Sequence, residues 1–285
     1  MQLLVLQNVL AAADVGGASA NAIVTAAELA RLAGAELHVV HATRETGPET
    51  ERALADAVRE AAPWATAANS VESGPPEEVI AEQARRVGAD VIVLGPHRGA
   101  PGEDRALGTT ADRVVRSAPV PCLVVPATLR LPLREVLAPL DLSEAARGAL
   151  AVALAWASAL RQPGAAGDAR TCLTALHVVD GDGETAARID AVRQEVEGVR
   201  REVAGFAGVR VEEVVVEAAD AAEGILRHAA ESGADLLVLG TRGQGGAAEM
   251  LGSVSSAVVR RCSIPVLLVP PDAWRGHADD LMGGG

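Results

Sequence analysis

Short runs of apolar residues alternate along this chain with longer segments in which apolar residues recur at helical spacing. Val91–Leu94 and Leu236–Leu239 are entirely apolar, which is typical of strands covered on both faces of a parallel sheet. Ala20–Leu32 shows the helical spacing, and Gly34 follows it as a stop signal. This alternation predicts an α/β fold built on a mostly parallel sheet with helices on two sides.

The same order of elements occurs twice. Five pairs of residues stand in register in the two copies, and every difference in spacing falls in a segment predicted as a loop. A period near half the chain length indicates an internal duplication that produced two similar five-stranded domains. We therefore predict domains at residues 1–130 and 131–271, followed by a flexible tail at residues 272–285. The paired residues are Asp14 with Asp141, His38 with His177, Gly95 with Gly240, Gly108 with Gly252, and Pro121 with Pro265.

A glycine-rich loop follows the fourth strand of the second repeat. Gly240 and Gly243 open the loop, and Gly252-Ser253 lies where the next helix begins. The N–H groups of such a loop and of the first helical turn lack internal partners and can bind an anion. Glycine loops are common, but an altered copy in the first repeat strengthens the interpretation. That copy contains Gly95, Gly108 and Thr109, with Arg98 at the position of the second glycine.

An aspartate ends the first strand of each repeat. In a doubly wound sheet the ligand sits at the carboxyl ends of the strands, where the winding reverses. Asp141 and Gly240 both end strands, so they are expected at one crevice. A carboxylate accepts hydrogen bonds from ribose hydroxyls but repels phosphate, so if the bound anion is a nucleotide, Asp141 must lie at its sugar end. The alternative is that Asp141 and Ser143 only cap the following helix. Asp14 occupies the same place without the serine, which favours the ligand role.

Composition excludes several functions. The formal net charge of −13 disfavours a surface for nucleic acid or for anionic membranes, since both need clustered cations. Lysine is absent, which excludes a P-loop lysine and Schiff-base chemistry. No nucleophile–base pair or metal-binding pair of acids is visible, so we expect no catalysis and no dedicated metal site. Three separated cysteines fit buried thiols in a reducing compartment, and we predict a cytoplasmic protein.

These motifs resemble the signature of the universal stress protein family in its tandem form. That signature is G-x-x-G, nine residues, then G-[S/T], with an aspartate ending the first strand and an L-H-V segment in the second. The second repeat departs from it once, with eight residues, Gln244–Leu251, before Gly252. The first repeat keeps the nine-residue spacing but has Arg98 in place of a glycine, which leaves open whether that repeat binds a ligand.

The resemblance implies two tandem Rossmann-like domains of the adenine nucleotide alpha hydrolase-like type. It implies a stress-response or sensor protein that binds an adenine nucleotide, ATP with its Mg²⁺, without strong catalysis. It further implies that the repeats pair along their last strands as an internal pseudo-dimer, with a homodimer of whole chains left open. Carried over position by position, the binding residues are Asp141, Val178, Gly240, Gly243, Gly252, Ser253 and Ser255 in the second repeat, and Asp14, Val39, Gly95, Gly108 and Thr109 in the first.

Two other functions are alternatives to nucleotide binding. A protein-interaction scaffold that keeps the fold with empty sites is favoured by the altered spacing of the second repeat and by Arg98 in the first. Nucleotide carried through purification would count against that scaffold. A nucleotide-dependent transferase is disfavoured because Ala138–Ser143 is not a serine- and glycine-rich loop after the first strand.

Overall fold

A computed structural model of the chain describes residues 6–15, 19–95, 109–161, 171–180, 185–202, 208–241 and 251–271. The chain forms two compact units. The first contains residues 6–129 together with 259–265, and the second contains residues 130–258 and the described end of the chain from 266. The predicted tail and three positions of the glycine loops, Arg98, Gly108 and Gly243, lie outside the described residues.

The described part of the first unit alternates five strands with four helices. The strands pair in parallel in the order β3-β2-β1-β4-β5, so the winding reverses between β1 and β4. The central strand β1 is buried on both faces, and Val9, Leu10 and Ala11 have no exposed surface. The elements are β1 (Asn8–Ala12), α1 (Ala20–Ala33), β2 (Glu36–Thr43), α2 (Pro48–Ala61), β3 (Ala67–Ser73), α3 (Pro76–Val87), β4 (Val91–Leu94), α4 (Thr109–Ser117) and β5 (Cys122–Val124).

The described part of the second unit repeats this arrangement. Its strands are also parallel, in the order β8-β7-β6-β9-β10, and the winding reverses between β6 and β9. This confirms the predicted α/β fold with two repeated five-stranded units. The association of the two repeats stays a prediction. The elements are β6 (Glu135–Pro139), α5 (Glu144–Ala159), β7 (Thr171–Val179), α6 (Thr185–Glu202), β8 (Val209–Glu217), α7 (Ala221–Ser232), β9 (Leu236–Gly240), α8 (Ser253–Arg261) and β10 (Val266–Val269).

Local sequence signals set several helix ends. Gly34 and Gly88 end α1 and α3 in the left-handed conformation, with φ of 68° and 60°, which favours glycine because it has no Cβ. Ser143 and Asp220 begin α5 and α7, and each side chain accepts a hydrogen bond from a first-turn N–H. Helix α1 therefore ends at the glycine that the sequence predicts as its stop signal.

A carboxylate joins the first and fourth strands at the amino edge of each sheet. Asp90 Oδ2 accepts hydrogen bonds from the backbone N–H groups of Gln7 and Asn8, at 2.6 and 2.8 Å. Asp235 Oδ2 binds the N–H groups of Arg134 and Glu135 in the same way, at 2.9 and 3.1 Å. The duplication thus extends to individual hydrogen bonds. These bonds also fix the register that aligns the carboxyl ends of the same strands.

Candidate functional site

The candidate site lies at the carboxyl edge of the second sheet, where β6 and β9 end side by side. Leu137 pairs with Leu237 in the parallel register, so Asp141 and Thr241 follow at equal distances along their strands. Gly240 closes β9. Because the winding reverses between these two strands, their ends border the crevice in which doubly wound sheets bind ligands. The structure therefore brings Asp141 and Gly240 to one edge, as expected from the sequence.

Asp141 lies in a tight turn between β6 and α5. Its Oδ1 accepts a hydrogen bond from the N–H of Ser143 at 3.0 Å, and Leu142 between them has the left-handed φ of 61°. The helix is capped by Ser143, whose hydroxyl accepts from the N–H of Ala146 at 3.2 Å. The cap and the carboxylate therefore belong to different residues. Ser143 is therefore the residue that caps the helix, and the turn orients the exposed carboxylate of Asp141.

The neighbouring strand β7 places Val178 beside Asp141. The paired register ends at Pro139 and Leu176, and two further residues on each strand bring Asp141 level with Val178. On the helix side, the Val178 side chain packs against Gly224 of α7. A Cβ at Gly224 would lie 3.0 Å from Val178 Cγ1, closer than normal carbon contact. Helix α7 therefore approaches this part of β7 closely because residue 224 is a glycine.

The exit of β9 is joined to the start of α8 by two hydrogen bonds. The Ser255 hydroxyl donates to the Gly240 carbonyl at 2.8 Å, and the N–H of Gly252 donates to the Thr241 carbonyl, also at 2.8 Å. Ser255 is buried whereas Ser253 is exposed. The structure therefore gives Ser255 a positioning contact and presents Ser253 at the open end of α8, where a helix start favours anions.

The first repeat shows the same edge with different residues. Asp14 follows β1 and is exposed, and its N–H donates to Ser19 Oγ at 2.8 Å. Gly95 follows β4, and Thr109 begins α4. Ala111, the third residue of α4, takes the place that Ser255 has in α8, and an alanine cannot form the bond to the strand carbonyl.

The register corrects two expectations for the first repeat. Val39 pairs with Ala11 in the middle of the sheet and has no exposed surface, so it does not lie at the strand end. The residue level with Asp14 is Ala42, three positions later. For the same reason His41, and not His38, is the counterpart of His177. The L-H-V pattern gives the wrong strand register for the first repeat, because β2 continues past it to Thr43.

His41 and His177 make equivalent contacts that the sequence did not reveal. His41 Nδ1 lies 2.9 Å from the carbonyl oxygen of Ala13, and His177 Nδ1 lies 2.6 Å from that of Leu140. Ala13 and Leu140 each immediately precede the aspartate of their repeat. The available signal was a histidine close to the end of the second strand in both copies. That these two histidines are equivalent becomes apparent only when the strand register is known.

Burial lowers the reactivity of the cysteine thiols. All three cysteines are unpaired thiols and buried, and burial raises the pKa of Cys122, Cys172 and Cys262. Such thiols stay protonated and are poor nucleophiles. Among the described residues, no group of three or more His, Cys, Asp or Glu side chains could bind a metal ion. None of the described helices is long and apolar enough to cross a membrane.

Comparison with known proteins gives the family. The model of the universal stress protein family matches residues 6–126 and 132–270. The universal stress protein Slr1230 of Synechocystis sp. (strain PCC 6803) is 32% identical over 181 residues, which is 62% of this chain and 57% of that protein. Universal stress protein YxiE of Bacillus subtilis (strain 168) is 43% identical over 89 residues, 28% of this chain and 60% of that protein.

The chain thus spans about three fifths of the length of these curated relatives. Among solved structures, a universal stress protein from Archaeoglobus fulgidus DSM 4304 matches with a TM-score of 0.62 and 20% identity, over 92% of this chain and 96% of that one. That likeness shows the fold alone. Because the family model matches both repeats across nearly all described residues, the chain belongs to the universal stress protein family.

Proposed function

We propose that this protein binds an adenine nucleotide, ATP with its Mg²⁺, at the carboxyl edge of the second repeat. The observation that supports this most is the convergence of Asp141 and the Gly240–α8 connection at the point where the sheet reverses its winding. One strand end offers a carboxylate, and the start of α8, which is bound to the other strand end, offers the N–H groups of its first turn. A nucleotide has hydroxyl donors at its sugar and negative charge at its phosphates, so its two ends match the two strand ends.

The sugar end is expected beside Asp141. Its carboxylate is oriented by the hydrogen bond from the Ser143 N–H, and carboxylate oxygens accept hydrogen bonds from hydroxyl donors such as those of ribose. The phosphates are expected near Gly252 and Ser253, where the start of α8 supplies N–H groups and an exposed hydroxyl. The adenine base follows from family membership and from the resemblance of the glycine motif.

We infer that the protein acts as a nucleotide sensor or accessory protein in the stress response and does not depend on catalysis. The thiols of the chain are buried. Any ATP hydrolysis would therefore be slow, because water activation would depend on the Mg²⁺ that accompanies the triphosphate.

A protein-interaction scaffold with empty nucleotide sites is the second candidate function. The sequence of the first repeat favours it more than that of the second. Arg98 occupies the place of the second loop glycine, and Ala111 replaces the serine that ties the helix to the strand end in the second repeat. A residue other than glycine restricts the path that the loop backbone can take, and Ala111 cannot form the bond that holds the helix start against the strand end. We therefore expect the second repeat to bind nucleotide more tightly than the first.

Isothermal titration calorimetry with ATP and Mg²⁺ tests the proposal. Asp141→Asn keeps the shape of the side chain but removes its charge, and hydrogen bonds to charged groups contribute about 1.5–3 kcal/mol, so we expect affinity to fall about tenfold or more. Asp190→Asn, on the exposed face of α6, is the matched control and should bind as the unmodified protein does. Absence of binding up to about millimolar ATP would refute the proposal, since weaker affinities fall below about 4 kcal/mol of binding free energy.

A further inference from the structure

Leu140, the residue before Asp141, is bound to strand β7 through both its N–H and its carbonyl group. The N–H of Leu140 donates to the carbonyl of Leu176 at 2.7 Å, as in an ordinary parallel ladder. Its carbonyl instead faces His177 Nδ1 at 2.6 Å. His177 is buried, with 8% of its surface exposed. A side chain therefore occupies an acceptor that backbone pairing would otherwise use.

The first repeat contains the same pair of bonds. The N–H of Ala13 donates to the carbonyl of Val40 at 2.9 Å, and the carbonyl of Ala13 lies 2.9 Å from His41 Nδ1. Ala13 immediately precedes Asp14. Two repeats that differ in loop length and in helix sequence thus place the same ring nitrogen on the same carbonyl. The arrangement is a property of the strand end rather than of one loop.

The hydrogen-bond pattern of parallel strands shows what this contact replaces. A residue that donates its N–H to one neighbour normally accepts, at its carbonyl, from the N–H two residues later on the same neighbouring strand. For Leu140, which donates to Leu176, that donor would be the N–H of Val178. The paired register ends before this point, and the His177 ring binds the carbonyl in its place. Leu176 faces β6, and groups two residues apart on a strand point to the same side, so the Val178 N–H also points to the β6 side, at the level of Asp141.

We propose that His177 is a positioning residue for the nucleotide site. By binding the Leu140 carbonyl it ends the β6–β7 ladder, so that the Val178 N–H is left to donate to the ligand beside the Asp141 carboxylate. A donor and an acceptor are then side by side for the nucleoside part of the nucleotide, away from the phosphate donors of α8. His41 does the same for Ala42 and Asp14 in the first repeat. This inference rests on the proposed nucleotide binding.

The contact also fixes the tautomer of both rings. A carbonyl oxygen only accepts hydrogen bonds, so the nitrogen that faces it must carry the hydrogen. His41 and His177 are therefore protonated at Nδ1 in the unliganded protein. Nitrogen-15 NMR of the labelled full-length chain distinguishes this form from the form protonated at Nε2 alone, without any nucleotide present.

Three variants of His177 separate positioning from general stability. An asparagine amide can reach the place of Nδ1, so His177→Asn should keep adenosine affinity within about twofold, whereas His177→Gln and His177→Ala should weaken it about tenfold, the equivalent of one lost hydrogen bond of about 1.4 kcal/mol. ATP should weaken by the same factor as adenosine. Binding of inorganic tripolyphosphate should be unchanged, because the phosphate donors are elsewhere.

The backbone amide signal of Val178 reports on the second repeat alone. In the unmodified protein it should shift on addition of adenosine, and in His177→Ala it should be shifted already and respond less. The same substitution at His41 should leave the Val178 response unchanged. An Nε2-protonated His177, unchanged adenosine binding in the Gln and Ala variants, or equal losses for adenosine and tripolyphosphate would each overturn the inference. Unmodified protein that binds neither adenosine nor ATP would overturn the proposed function as well.

Discussion

The hydroxyl of Ser255 donates a hydrogen bond to the carbonyl of Gly240, with the two oxygens 2.8 Å apart and the serine buried. This bond connects the last residue of β9 to the first turn of α8. It therefore sets the direction in which the N–H groups at the start of α8 face the crevice. In α4 of the first repeat the corresponding residue is Ala111.

We predict that Ser255→Ala lowers the free energy of unfolding by about 1–3 kcal/mol, because a buried carbonyl loses its partner. ATP affinity should fall more than adenosine affinity, since the change affects the phosphate end. Denaturant unfolding and calorimetry measure the two effects. Ala111→Ser is the reciprocal variant in the first repeat, and we expect it to leave ATP binding by the second repeat unchanged. Equal losses for ATP and adenosine in Ser255→Ala would contradict this assignment.

Two helix glycines offer a matched test of the close approach between α7 and β7. Gly224→Ala places a Cβ 3.0 Å from both Val178 Cγ1 and Ala218 Cβ, and overpacking of this kind costs about 1–3 kcal/mol. We expect lower thermal stability and weaker adenosine binding, because Val178 must move.

Gly198→Ala, in α6, is the control. The added Cβ would lie 2.9 Å from Nη1 of the Arg147 guanidinium, which is the movable end of a long side chain. Alanine has a higher helix propensity than glycine, by about 0.8–1.0 kcal/mol, so this variant should be as stable as the original or more stable. A Gly224→Ala protein as stable as Gly198→Ala would show that α7 can shift without cost.

The two aspartates at the amino edges provide a test of the duplicated framework. Asp90 and Asp235 each accept two backbone N–H groups, so we expect Asp90→Ala and Asp235→Ala each to lower the free energy of unfolding by about 2–4 kcal/mol. Both lie at the edge opposite the candidate site, and ATP affinity of the folded variants should be unchanged. A variant that loses ATP binding but keeps its free energy of unfolding would contradict this assignment, because these aspartates would then act in the ligand site and not in the folding of the sheet.

Glu135 gives a pH-dependent prediction at the same edge. Burial raises the pKa of its carboxyl, and the nearby Glu212 and Asp235 raise it further against the opposing effect of Arg210. A carboxyl whose pKa is higher in the folded state favours folding at low pH and loses that contribution as the pH rises through the folded pKa. Glu135→Gln should therefore raise the melting temperature at pH 7 and leave it unchanged near pH 3. A lower melting temperature at pH 7 would show that the Arg210 interaction dominates.

The alternation of strands and helices, the duplication and the two strand-end aspartates follow from the sequence because each rests on a local or periodic signal. Asp14 and Asp141 are visible at the end of apolar runs, and Gly34 and Gly88 are ordinary helix stops. The register between strands is a tertiary property, and there sequence reasoning failed. It selected Val39 and His38 where the structure places Ala42 and His41.

The roles of buried polar side chains were equally hidden. Ser255 was a ligand candidate by sequence, but its hydroxyl donates to Gly240 in the folded chain. Asp90 follows closely after Gly88, which ends α3, but its carboxylate binds the backbone of β1. In each case a polar residue satisfies a backbone group that is distant along the chain. Such pairs become apparent only when the strands are placed side by side.

A crystal structure of the full chain with ATP and Mg²⁺ tests the central claim most directly. We predict density for one nucleotide in the second repeat, with its ribose hydroxyls within hydrogen-bond distance of the Asp141 carboxylate and its phosphates at Gly252 and Ser253. A nucleotide bound at another surface, or one whose phosphates lie against Asp141, would contradict the account.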